Sequence, residues 1–159
     1  MQTIDEMIAE APVFAGLKPE YLQLISSWGR LVDVEADEYI LREGERAQTF
    51  FLVRCGAVAL EVRGAGRGVL VVDSRQDGDV VGWSWLFAPY RWQMDGRTTE
   101  TSSLVAIEGA RLRDMCEDDH EFGYQLMRRF AGGLQKLLQE TRKQLLDVYG
   151  TTRNAGAIR

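Results

Sequence analysis

Few side chains in this sequence are suited to chemistry, and most of those are aromatic or cationic. Residues 78–97 read GDVVGWSWLFAPYRWQMDGR and hold three of the four tryptophans, Trp83, Trp85 and Trp92, with Phe87, Tyr90, Arg91 and Arg97 among them. Aromatic walls with a few polar groups line small-ligand pockets, and a glycine such as Gly82 suits backbone that approaches a ligand closely. The same residues would serve equally as an aromatic plug in a small β domain, and both readings stand. Catalysis has little to work with. His120 is the only histidine and sits among acids at a helix start, while Glu43 and Glu45 merely flank a turn glycine. There is no Gly-x-Ser-x-Gly, Walker loop or metal-ligand cluster, and Cys116 with His120 would supply two ligands, too few for structural zinc. No catalytic and no metal-binding residue is assigned, and the protein is expected not to be an enzyme.

The elements that position these groups follow from length and pattern. A chain of 159 residues, 45% apolar and 27% charged, is sized for one folded domain with a helical appendage. Its net charge of -5 does not mark a nucleic-acid binder; Arg128, Arg129, Lys136, Arg142 and Lys143 read as the solvated side of a helix. Cys55 and Cys116 read as buried, inert thiols in a reducing compartment. The N-terminus lacks the basic and apolar regions of a signal peptide, and no apolar run is long enough to span a membrane. A cytoplasmic protein without membrane contact is expected.

Thr3-Ile4-Asp5-Glu6 fits a capping box, and Lys18-Pro19-Glu20 opens a second helix whose buried side is Tyr21, Leu22, Leu24 and Ile25. Residues 1–29 therefore form an N-terminal helical segment. From residue 30 to 109 the period becomes alternating: residues 31–34, 39–41, 50–53, 57–62, 69–72 and 104–107 are short strands between glycine turns, which predicts an antiparallel β-roll or jelly roll in a mainly β, α+β fold. Residues 110–150 return to helix, with Asp118 as a cap for a long final element. Met127, Phe130, Leu134, Leu137, Thr141, Gln144 and Val148 follow a heptad spacing that calls for a partner helix, hence a homodimer. Leu138 and Leu145 lie beside that line and would pack back on the domain. Gly132-Gly133 signals a bend or a close approach, and residues 151–159 read as a frayed tail.

Several of these stretches resemble the cyclic-nucleotide-binding domain of the catabolite-activator and FNR (Crp/Fnr) regulator superfamily: YILREGERAQTFFLVRCGAVAL from Tyr39, GDVVG from Gly78 to Gly82, LVAI from Leu104, and the helical end with LQET at residues 138–141. The resemblance implies a stand-alone sensor or regulatory domain of the double-stranded β-helix type, with a long C-terminal dimerisation helix. It also implies a phosphate-binding cassette after Gly82, where Trp83 replaces the ribose-holding glutamate and the arginine position falls near Trp92 or Gln93, with Arg91 close enough to substitute. By this resemblance the ligand residues would be Gly82, Trp83, Ser84, Arg91, Trp92 and Gln93, with Thr141 and Arg142 from the helix. The cassette is degenerate, so the expected ligand is a nucleotide-like small molecule rather than cyclic AMP. A ligand-free adaptor, its pocket filled by aromatics and its partner another protein, is the alternative. The chain ends too soon after Gly150 for a winged helix-turn-helix, so DNA binding by this chain alone is not expected.

Overall fold

In the computed structural model, which describes residues 2–66 and 68–156 and the side chains as far as residue 150, helices bracket two antiparallel sheets. Helix α1 (Ile4–Glu10) starts at the capping box: Glu6 N–H donates to the Thr3 hydroxyl at 3.2 Å and Thr3 N–H to the Glu6 carboxylate at 2.8 Å. Helix α2 (Pro19–Ser27) begins on its proline and buries Tyr21 and Ile25. Leu24, expected on that buried side, is exposed, because Tyr21 and Ile25, four apart, already fill the face that meets the core.

The strands are β1 (Gly29–Val34), β2 (Tyr39–Leu41), β3 (Thr49–Cys55), β4 (Val58–Gly64), β5 (Gly68–Arg75), β6 (Val80–Val81), β7 (Asp95–Thr98) and β8 (Ser102–Glu108). They form two four-stranded sheets in the orders β1-β8-β3-β6 and β2-β7-β4-β5, the antiparallel roll that the alternating pattern predicts. Central β8 is buried from Ser102 to Ile107 and pairs with β1 on one side (Leu31 opposite Val105) and β3 on the other (Leu52 opposite Val105). Strand β7, DGRT, carries no apolar alternation and was not foreseen. Its polar groups are paired instead: Arg97 bridges Glu61 (2.6 Å) and Asp37 (2.6 Å), and Glu43 N–H donates to Asp95 at 2.8 Å.

Helix α3 (Gly109–Asp118) and helix α4 (His120–Gly156) close the roll. The cap between them is Asp119, not Asp118. Asp118 is still helical, whereas Asp119 is extended (φ -125°, ψ 97°) and accepts Phe122 N–H at 3.1 Å. That hydrogen bond, first among its causes, together with one from the Tyr21 hydroxyl at 3.0 Å, holds the Asp119 carboxyl below the usual carboxylate range. Gly150 does not stop α4, which continues to Gly156; the rest of the expected tail, residues 157–159, lies outside the described residues. No described helix is long and apolar enough to cross a membrane.

The residues expected at a dimer interface do not share one exposed face. Phe130 is fully buried in its own domain and Leu137 is half-buried, while Leu138 and Leu145, expected to pack back, are 69% and 56% exposed. Turning the register by one position gives an uninterrupted spacing of three and four through Tyr124, Met127, Ala131, Leu134, Leu138, Thr141, Leu145 and Val148. All but half-buried Leu134 are exposed, and only Thr141 is markedly polar. The original line mixed two faces, because a run such as LQKLLQ satisfies heptad spacing in either register.

Candidate functional site

Strand β6 delivers the chain to Gly82, whose φ of +98° is a left-handed value that side chains resist. The space above it is taken. A Cβ on Gly82 would lie 2.6 Å from the indole of Trp92, which is only 6% exposed. The backbone of Trp92 is locked to the residue 43–45 turn, its N–H donating to Glu45 O at 3.0 Å and its O accepting from Gly44 N–H at 2.9 Å. The family resemblance put Trp92 in the ligand set; its burial against Gly82 makes it part of the core.

The other tryptophans also pack inward. Trp85 is fully buried and stacks on Phe50 (4.6 Å between centroids, 10° between planes), with Phe130 edge-on at 5.2 Å. Gly109 exists to admit that ring, since a Cβ there would lie 2.8 Å from it. Trp83 is half-buried, meets Phe130 edge-on at 4.9 Å, and reaches α4 at Gly133, where a Cβ would lie 2.8 Å from its ring. The double glycine thus serves a close approach rather than a bend, and only Gly133 is needed for it; nothing lies within 4 Å of the Cβ position of Gly132. The ring nitrogens of Trp83 and Trp85 are buried without a hydrogen-bond partner, each at a cost of about 1–3 kcal/mol.

Arg91 faces outward. It is exposed, donates to Gly44 O at 2.8 Å, and accepts the Gln93 amide on its own carbonyl at 3.3 Å. Ser84 is half-buried between Trp83 and Trp85. Thr141 and Arg142 are exposed on α4; the Thr141 hydroxyl donates to Leu137 O at 2.9 Å.

Open space lies on the helix side. A cleft of about 400 Å³ runs between the turn after β5 and helix α4, lined among others by Arg75, Asp79, Trp83, Arg129, Gly133 and Lys136. Of the residues expected to bind a ligand, only Trp83 borders it; Gly82, Ser84, Arg91, Trp92, Gln93, Thr141 and Arg142 do not. Its cations were not foreseen. Arg75 sits on an edge strand, where it pairs with Asp73 and keeps a buried Nε without a partner. Arg129 was read as solvated, yet it donates to Ala15 O at 2.8 Å and ties α4 to the segment after α1. A sequence signal for Arg75 existed in the end of the apolar run at Val72. Arg129 had none.

The family model for the cyclic nucleotide-binding domain matches residues 31–119. No curated protein sequence matches the chain. Among solved structures, a candidate cyclic nucleotide-binding protein of Geobacter metallireducens GS-15 is 28% identical, with a TM-score of 0.77 over 87% of this chain and 99% of the other. A cyclic nucleotide-binding domain of Methylobacillus flagellatus KT is 14% identical, with a TM-score of 0.76 over 91% and 81%. The N-terminal domain of a transcriptional regulator from Streptomyces coelicolor A3(2) is 19% identical, with a TM-score of 0.67 over 84% and 94%. The last two carry the fold alone.

Proposed function

This chain belongs to the cyclic nucleotide-binding domain family, a family of regulatory domains, and we propose that it is a homodimeric, non-catalytic member whose cassette does not take cyclic AMP. One observation carries the reading: the Trp92 ring lies on Gly82, where a cyclic phosphate would have to approach the backbone. A phosphate placed there would also lack a cassette cation, since Arg91 points to the outer side, where it donates to Gly44 O. Charge-assisted hydrogen bonds contribute about 1.5–3 kcal/mol each, so losing two weakens binding by several powers of ten. Sensing belongs instead to the cleft beside α4, where Arg75, Arg129 and Lys136 offer charge and Trp83 a planar wall. A ligand there would bear on the same helix that carries the dimer seam. The two free cysteines suit the reducing cytoplasm in which we place the protein.

The adaptor reading keeps one observation in its favour. Phe14, Phe50, Trp83, Trp85 and Phe130 interlock into a core that leaves the inner roll full. Isothermal titration with cyclic AMP, cyclic GMP and cyclic dinucleotides tests the proposal. We expect no heat from cyclic AMP or cyclic GMP. Micromolar binding of either to the wild-type chain would overturn the closed cassette. A cyclic dinucleotide that binds wild type and not Lys136→Glu supports the cleft as sensor; silence from the whole panel leaves the adaptor.

A further inference from the structure

On the outer side of the Trp-rich segment is a second hollow, of about 290 Å³, lined by Arg46, Gln48, Pro89, Tyr90, Arg91 and Arg113. Three of its six residues carry a guanidinium and none an acid. Among the described residues, none of the three arginines makes an ion pair, although the chain as a whole is acidic. Three like charges around one concavity repel one another, and an anion between them is the simplest thing that would offset this.

The guanidiniums are held in place without being used up. Arg91 donates to Gly44 O, and the Arg46–Arg91 backbone bridge sets these two residues side by side. Arg113 donates to Trp85 O and lies with its guanidinium carbon 3.9 Å from the centre of the Tyr90 ring. Tyr90 itself has a φ of +57°, a value L-residues rarely adopt. Two backbone bonds hold it there: Ala47 N–H to Tyr90 O at 2.7 Å and Tyr90 N–H to Phe87 O at 2.8 Å. A guanidinium has five N–H donors, so most remain available after these contacts, and its flat fork matches pairs of phosphate oxygens. The hollow is at the small end for ligand sites, which suits a phosphate or diphosphate group better than a whole cyclic nucleotide.

We propose that this hollow is an anion site for a phosphate-bearing small molecule, with Arg46, Arg91 and Arg113 as the donors. It stands apart from the cleft beside α4 and does not depend on the proposal made for that cleft. Titration of the full chain with inorganic pyrophosphate at low salt should give saturable binding that weakens as salt is added. Arg46→Gln should weaken it by about tenfold or more, as loss of a charge-assisted contact does. Arg46 is exposed and makes no ion pair, so this variant keeps its fold where Arg113→Gln, which gives up the Trp85 contact, could lose it. Arg30→Gln, an exposed cation on β1, should bind as wild type does. A nucleoside diphosphate in a parallel arm tells the source of the phosphate: equal affinity means the diphosphate alone is read, tighter binding that the Tyr90 ring takes the base, and either supports the site. No saturable binding in both arms, or equal loss in Arg30→Gln and Arg46→Gln, overturns it. Neither variant touches Trp92 or Gly82, so this result and the cyclic-nucleotide titration fail independently.

Discussion

Replacing Leu138 and Leu145 together by alanine should convert the proposed dimer to monomer while leaving the protomer folded. Both side chains are largely free in one chain, 69% and 56% exposed, so that fraction is what a partner helix can cover. Full burial of a leucine side chain is worth about 1.5–3 kcal/mol, which leaves about 1–2 kcal/mol for each of these. A two-fold pair holds four such leucines, and losing them removes about 4–7 kcal/mol, or three to five powers of ten in Kd. Alanine is the better helix former, so α4 itself gains and the change cannot be blamed on unfolding. Sedimentation or light scattering across a dilution series reads the result as a fall from twice the 18.0 kDa chain mass towards that mass. Gln144→Ala, off the exposed line, should change nothing. A wild-type monomer at every concentration, or a double variant that dimerises as tightly as wild type, would refute the seam.

Trp92→Ala should destabilise by about 3–5 kcal/mol, as large-to-small core changes do, and lower Tm by about 10 °C for a chain this size; a shift within error in a thermal melt would mean the ring is not core. The Asp119 carboxyl is held below its unfolded value, so its contribution to stability is present above the unfolded carboxylate pKa and is lost as pH falls through the folded one. The Tm gap between wild type and Asp119→Asn should therefore shrink on acidification, and a gap constant with pH would remove Asp119 from the account. Burial pushes the Cys116 thiol up to about 11, leaving about a thousandth of it as thiolate at pH 8. Cys55, expected to be buried, is exposed at the end of β3, so iodoacetamide mapped by mass spectrometry should mark it first, and equal rates would contradict the burial of Cys116.

Much of the fold was legible because its rules are local. The capping box at Thr3, the proline start of α2, the glycine turns and the apolar strands each satisfy backbone or burial demands within a few residues. What failed had its cause at a distance. Strand β7 is held by ion pairs to its neighbour β4, Arg97 with Glu61 and Asp95 with Arg63, whose partners lie far away in the chain. Asp119 displaced Asp118 as the cap because the turn between α3 and α4 falls one residue later than the pattern suggests. Phe130, expected at a dimer interface, is buried in its own domain, because the sequence does not say which apolar face of α4 that domain consumes.

The candidate site divides in the same way. From the residues alone came an aromatic segment around Gly82 and a likeness to a nucleotide-binding domain, since both depend on residue type and spacing. Whether those rings make a pocket or fill one was not decidable there, because an indole covers a cavity or occupies it with the same apolar surface. Tertiary packing decided it: Trp92 folds back on Gly82 within its own loop, while Trp85 against Gly109 and Trp83 against Gly133 are contacts between separate segments. The arginines divide likewise, Arg75 and Arg129 to the cleft and Arg91 and Arg113 to the outer hollow, because a charge's neighbours are set by the folded chain and not by its place in the sequence.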